Sequence, residues 1–230
     1  MLDYKEAGVN IDAGEEAVER IKAEVKSTFS PNVLQGIGHF GAFYEASFPN
    51  YEQPVLVSSA DGVGTKLKIA YAMGIHDTVG QCLVNHCVDD ILTSGAKPLF
   101  FLDYIGTGSL SPDVIELIIK GMSKACRENA CSLVGGEMAE MPGIYNHGEY
   151  DVAGTIIGLV EKRKIVNGSA IQAGQILIGL PSVGLHTNGY SLARKVLESK
   201  FDYQQQIPEF GKSLGEELLT VHPSYLAVVQ

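Results

Sequence analysis

Apolar residues recur at helical spacing from Glu15 to Ser27, where Ala17, Val18, Ile21 and Val25 share a face, and this predicts a helix ended by Ser30-Pro31-Asn32. GIGHFGAFYE (36–45) mixes glycine with aromatics and predicts a loop with a strand. Pro54 opens a β-branched run, PVLVSSADGVG, which breaks at Asp61-Gly62. Strand, polar turn and a helix from Thr65 to Met73 are its natural parse. Thr78 to Ser94 predicts a second, apolar helix, closed by Gly95 with Pro98 beyond it. PLFFLDYI (98–105) reads as a buried strand interrupted by one acid, Asp103. Ser111-Pro112-Asp113 caps a third helix, Val114 to Asn129, with proline in its first turn. Cys131 to Gly135 predicts a short strand running into GGEMAEMPG, and Asp151 to Glu161 another. Past the charge run Glu161-Lys162-Arg163-Lys164, GQILIGLPS predicts a strand and Asn188 to Glu198 a helix, followed by loop and more helix.

Strands alternating with helices argue an α/β fold of α+β type. A boundary near residues 162–172 divides the chain into a first domain, 1–165, and a second, 166–230. One strand and about two helices do not easily close a core, so the second domain is expected to be truncated.

Composition narrows the function. Of 230 residues, 45% are hydrophobic and 19% charged, which excludes a disordered chain. Twenty-seven acids against seventeen bases give a net charge of −10, which argues against nucleic acid as a partner. No apolar run reaches the roughly 18 residues of a membrane span, and the charged start MLDYKEAGVNIDAGEEAVERIK has no signal-peptide core. Cys82, Cys87, Cys126 and Cys131 lack CxxC spacing and read as reduced, buried thiols of a cytoplasmic protein.

The strongest chemical signal is Asp61-Gly62-Val63-Gly64-Thr65-Lys66 at a strand-to-helix turn. Its glycines admit an anion close to the backbone, the helix start offers free N–H groups, and Lys66 adds a cation. Asp61 at the strand tip is placed to hold Mg²⁺; an ordinary turn with Asp61 as helix cap is the plainer alternative. Asp89 and Asp90 lie on a largely apolar helix, where acids need a cation or a donor, or else a solvated helix edge. His86 sits one turn before them, and local pairing with them is sufficient to explain it, with a metal-ligand role the lesser alternative. Asp103 and the carboxylates of Gly135-Gly136-Glu137-Met138-Ala139-Glu140 are two acid-bearing strand tips. In the second unit, His186, Thr187 and Asn188 precede a helix and could grip a phosphate, with Asn188 as a plain N-cap the alternative. The GxGxxG spacing of Gly36, Gly38 and Gly41 does not follow a strand into a helix, so it is no Rossmann fingerprint; a loop closing over nucleotide remains open.

Taken together, YKEAGVNIDAG, VSSADGVGTKLKIA, DILTSGAKPLFFLDYIGTG, SLVGGEMAEMPGIY, YDVAGTIIGLVE and ILIGLPSVGLHTNGYSLARKVL resemble the phosphoribosylformylglycinamidine cyclo-ligase (aminoimidazole ribonucleotide synthetase) family, in family order from residue 4 to about 197. The resemblance implies a two-domain ATP-binding synthetase fold, with the first domain complete and binding ATP. It implies an ATP- and Mg²⁺-dependent closure of formylglycinamidine ribonucleotide to aminoimidazole ribonucleotide in purine biosynthesis. ATP phosphorylates the formamide oxygen, an amidine nitrogen attacks that carbon, and ADP and phosphate leave. It further implies that Asp61, Gly62, Gly64, Thr65 and Lys66 form the nucleotide–metal region, with Asp90 the second metal ligand. Lys66, Glu137 and His186 become catalytic candidates, and Asp103, Glu140, Thr187 and Asn188 nucleotide-binding ones. Gly189 falls on the same loop, and a homodimer paired through the first domains is implied. Three positions depart from the family pattern: Asp89 replaces an amide, Cys82 stands where an acid is frequent, and Met138 replaces Thr. The wider ATP-binding superfamily (thiamine-monophosphate kinase, selenophosphate synthetase, a hydrogenase-maturation protein) and a non-catalytic binding module are the competing readings. The AEMPG and LHTNGYS segments favour the cyclo-ligase.

Overall fold

Asn10 starts the first helix, accepting a hydrogen bond from the Ala13 amide, so α1 runs Ile11–Lys26, earlier than the apolar spacing alone predicts. Its buried stripe is Ala13, Ala17, Ile21 and Val25. The computed structural model describes residues 8–230; residues 4–7, which open the first family-like stretch, lie outside the described residues. After α1 the 36–45 segment forms bends and a single bridge, Val33 to Tyr44, in place of a strand.

The β-branched run becomes β1, Pro54–Gly62, and passes through a short 3₁₀ turn, Gly64–Lys66, into α2, Leu67–Met73. Then come α3 (Asp77–Leu92), β2 (Lys97–Thr107), α4 (Pro112–Glu128), β3 (Ser132–Glu140) and β4 (Tyr150–Glu161). The sheet order is β1-β4-β2-β3. β4 is antiparallel to both β1 and β2, and β2 is parallel to β3, the pair that α4 connects.

Two sequence expectations shift here. GGEMAE does not leave the sheet as a loop: Gly135 to Glu140 continue β3, paired from Leu102 to Thr107. Asp103 is not a strand tip, because β2 extends four residues past it; it sits mid-strand beside Gly136 and Gly154. Pleat alternation puts Phe101, Asp103 and Ile105 on the same face, which α3 and α4 cover. Phe101 and Ile105 are fully buried there, together with Leu83, Val84, Ile118 and Met122.

The chain after β4 is built differently. GQILIGLPS, expected as a strand, pairs with nothing among the described residues, and Ile176, Leu177 and Ile178 are 85–97% exposed. A strand needs a neighbour for its N–H and C=O groups, and the described residues offer none. The rest folds back onto the first unit: α5 (Tyr190–Leu197), a two-residue hairpin of β5 (Gln206–Ile207) and β6 (Lys212–Ser213), α6 (Leu214–Leu218) and α7 (Leu226–Val229). Tyr190, Leu214, Leu218 and Leu219 join the same core.

α3 and α4 pack at backbone distance. A Cβ on Gly80 would lie 2.1 Å from the Ile118 carbonyl oxygen, and one on Gly121 2.0 Å from that of Asp77. Alanine at Gly80 is therefore expected to destabilise the protein by about 1–3 kcal/mol, overriding its better helix propensity. Urea unfolding checks this; an unchanged or higher midpoint would contradict the close packing.

Candidate functional site

The end of β1 brings Asp61 to α3, where His86 and Asp90 lie one turn apart on a single face. One ligand atom from each of these three side chains falls within 4.8 Å of the others. His86 Nε2 is 3.2 Å from Asp61 Oδ2, and the Ser59 hydroxyl donates to Asp90 Oδ2 at 2.7 Å. Asp61 Oδ1 also accepts the Gly62 amide at 2.7 Å, which fixes the carboxylate's rotation. This corner is open to solvent at Asp61, whose side chain is 44% exposed. Two carboxylates and an imidazole are an oxygen–nitrogen donor set suited to a divalent cation.

Behind His86 runs a line of polar contacts. His86 Nδ1 lies 2.9 Å from the Thr187 hydroxyl, which lies 3.3 Å from His222 Nδ1. His222 Nε2 then faces Asp89 Oδ2 at 3.3 Å. Asp89 thus turns away from Asp61 and Asp90, its other oxygen accepting the Tyr225 amide at 2.9 Å. The His186 ring stacks on His222, with centroids 4.3 Å apart, and burial lowers its pKa.

Lys66 is fully buried. Its ammonium contacts Cys82 Sγ at 3.1 Å and donates to the carbonyls of His186 at 2.9 Å and Thr220 at 2.6 Å. All three protons are engaged, so in this arrangement the ammonium ties segments together instead of facing an anion; burial lowers its pKa. Thr65 Oγ1 lies 3.0 Å from Ser191 Oγ, a second link between the two units. Gly189, with φ +77°, precedes α5, and Asn188 is exposed and makes no side-chain cap, so the plain N-cap alternative for Asn188 is not what forms.

The remaining acids form a second locus. Asp61, Gly154, Asp103 and Gly136 are register partners in one row across the sheet, so Asp103 lies about 10 Å along the row from Asp61 by strand spacing. Burial pushes Asp103 up to about 7. A side chain at 136 would collide with it, a Cβ there standing 2.3 Å from Asp103 Oδ1. Asp103 and Glu137 line a cavity of about 500 Å³ between α1, β3 and the Gly36–Ala42 segment. Glu140 is a clamp: its carboxylate accepts the amides of Asn10 and Leu110, holding α1 against β3. The residues picked out by sequence therefore separate into the Asp61–Asp90 corner, the Lys66–His186–Thr187 seam and the Asp103–Glu137 cavity. The sequence favours local pairing of His86 with Asp89 and Asp90 over a ligand role, whereas the fold sets it against Asp61 and Thr187; His222 carries no signal in the sequence. The i, i+4 spacing of His86 and Asp90 was the available signal for the corner.

Residues 46–160 match the family described as AIR synthase related protein, N-terminal domain. Phosphoribosylformylglycinamidine cyclo-ligase of Carboxydothermus hydrogenoformans is 55% identical over 230 residues, covering 99% of this chain and 67% of that protein. The protein of the same name from Brevibacillus brevis is 51% identical, covering 98% and 66%, and that from Thermoanaerobacter pseudethanolicus 52%, covering 100% and 68%. The chain thus spans about two thirds of the length of these relatives. Among solved structures, thiamine-monophosphate kinase from Stenotrophomonas maltophilia K279a superposes with a TM-score of 0.66 at 16% identity, covering 93% of this chain and 62% of that one. AaThiL complexed with AMPPCP and TMP gives 0.52 at 17% identity, covering 76% and 51%. Both likenesses are of fold.

A carboxyl whose folded pKa is raised binds its proton more tightly folded than unfolded, so stability falls as pH climbs from about 4 through 7. Asp103→Asn removes that dependence. Its stability relative to the unsubstituted protein is expected to rise between pH 4 and 8 in urea titrations. A difference that is flat, or that falls with pH, would contradict the buried carboxyl.

Proposed function

The chain belongs to the phosphoribosylformylglycinamidine cyclo-ligase family, and from that premise we propose that it takes part in the family's reaction: ATP-dependent cyclisation of formylglycinamidine ribonucleotide to aminoimidazole ribonucleotide, with release of ADP and phosphate. The observation that carries the site assignment is the convergence of Asp61, His86 and Asp90 at the open end of β1. The donor set fits Mg²⁺, which takes one or two carboxylates and leaves its other positions to phosphate oxygens and water. Asp61 and Asp90 would hold the ion, and its charge would offset that of the phosphates.

ATP, when bound, supplies the phosphoryl group that makes the formamide oxygen a leaving group. The chain's own residues position and exclude water. Gly62, Gly64 and Thr65 form the turn beside Asp61; the Gly62 amide is taken by Asp61, which leaves the amides that open the 3₁₀ turn at Gly64 and Thr65 for phosphate. Lys66 holds the His186–Thr187 loop against α3, so its part in catalysis is positional in this arrangement. His186 and Asn188 lie on that loop, where a substrate can reach them. The cavity with Asp103 and Glu137 is the candidate for a further part of the nucleotide or the ribonucleotide, its mouth bordered by the Gly36–Ala42 loop. Glu140 keeps α1 on that cavity without facing it.

The uncovered sheet face, with Leu56 64% and Tyr104 38% exposed, supports the homodimer as the assembly. Four buried free thiols agree with a reducing, cytoplasmic setting, and none of the described helices is long and apolar enough to cross a membrane. The same reading divides the chain into a nucleotide-binding and dimerising unit, 1–165, and part of a second domain, 166–230.

ADP release from Mg–ATP, with and without formylglycinamidine ribonucleotide, tests the function. A protein carrying this chain at its relatives' full length is expected to depend on the ribonucleotide, and repeating the assay on residues 1–230 measures what this portion retains. No stimulation, or stimulation by thiamine monophosphate instead, would overturn the reading. Asp61→Asn and Asp90→Asn are each expected to weaken Mg–ATP binding by about tenfold or more; unchanged affinity in both would remove the metal assignment.

A further inference from the structure

Five side chains stand in file from the open corner into the protein: Asp61, His86, Thr187, His222 and Asp89. Their protons do not match their contacts. With one N–H on each imidazole and one O–H on Thr187, three protons serve four contacts. Both end groups are carboxylates, which only accept. One contact is therefore left as a ring lone pair facing a carboxylate oxygen. The His222–Asp89 end is the buried one, with side chains 7% and 18% exposed, and Asp89 Oδ2 has no hydrogen-bond partner there, so the His222 N–H is assigned to the nitrogen 3.3 Å from it. His222 Nδ1 then accepts from Thr187, and Thr187 accepts from His86 Nδ1–H. That ordering turns the His86 Nε2 lone pair toward Asp61 Oδ2, in the same corner where the Asp90 carboxylate is steered by Ser59. Three electron-pair donors converge with no proton between them.

We propose that His86 is a third ligand of the divalent cation held by Asp61 and Asp90, oriented through Thr187, His222 and Asp89, and that it shifts the site from Mg²⁺ toward borderline transition cations. Imidazole suits Fe²⁺, Co²⁺ and Zn²⁺, whereas Mg²⁺ favours oxygen donors and water. A ring whose second nitrogen donates to a fixed oxygen is the usual arrangement for a metal-bound histidine. Thr187 and His222 are positioning residues in this scheme, and Asp89 sets the direction of the file.

The inference rests on reading Asp61 and Asp90 as the metal corner. Its test is Co²⁺ and Mg²⁺ titration of the nucleotide-free chain by calorimetry and visible absorption. His86→Gln is expected to lower Co²⁺ affinity by about 10–100-fold while changing Mg²⁺ affinity little, and Thr187→Val to lower Co²⁺ affinity by about tenfold. Thermal melting of each variant without metal controls for folding. Should His86→Gln not fold, Thr187→Val decides alone: loss of Co²⁺ affinity in a folded Thr187→Val protein supports the file, and retention overturns it. Equal Co²⁺ affinity in folded His86→Gln and the unsubstituted chain, or a thiolate charge-transfer band marking cysteine ligation, would also overturn it. Asp61→Asn separates the two readings. If it weakens Co²⁺ and Mg–ATP binding while His86→Gln does neither, only this inference falls; if Asp61→Asn leaves both intact, the corner itself is wrong.

Discussion

A buried ammonium is tolerable only when every proton on it finds an acceptor, because the desolvation penalty is several kcal/mol. Lys66 meets that condition by drawing on three separate parts of the chain: the Cys82 sulfur on α3, the His186 carbonyl and the Thr220 carbonyl. Those contacts bring the segments around 186 and 220 down onto the helix layer. Only with both seated do Thr187 and His222 reach His86 and Asp89. The resemblance leads one to expect an acid where Cys82 stands. A thiol is a weaker partner for an ammonium, so the two carbonyls carry more of the burden and burial lowers the lysine's pKa.

The sheet sorts the acids by the same logic of environment. Asp61 and Asp103 occupy one row of the same face, two strands apart. Asp61 is at the open end of β1, against an imidazole and near a second carboxylate. Asp103 is between Phe101 and Ile105 under the helices, and burial raises it to about 7, so near neutrality it is poised between acid and carboxylate. Two carboxyls of one sheet thus sit in opposite environments, one open beside an imidazole and a second acid, the other buried against the helix layer.

Elements with a strong local period were legible in the sequence. α3 and α4 end within about two residues of the apolar spacing, and β1 and β4 match their β-branched runs. What failed had non-local causes. Gly135 and Gly136 read as a loop, yet β2 supplies a partner and the Asp103 carboxyl demands a residue without a side chain at 136. The 175–182 run has strand composition and no neighbour to pair with. In the candidate site, Asp61 is legible from the glycine turn that follows it, and Asp90 as an acid on a largely apolar helix. His222 is held to α3 by Asn85, which donates to its carbonyl, and by its own amide on the Cys82 sulfur, beside the Lys66–Thr220 bond, and no spacing rule encodes these contacts. Asp89 was noted as an extra acid, and the fold shows that it serves His222 and Tyr225 instead of the corner.

One ammonium ties the segments around 186 and 220 to the first unit and so sets Thr187 and His222 behind His86. Hydrogen exchange read peptide by peptide on Lys66→Met tests it most directly. The account predicts faster exchange across 182–190 and 218–226, while α4 and β4 keep their protection. Unchanged exchange in those two segments, or a uniform loss throughout the chain, would contradict it.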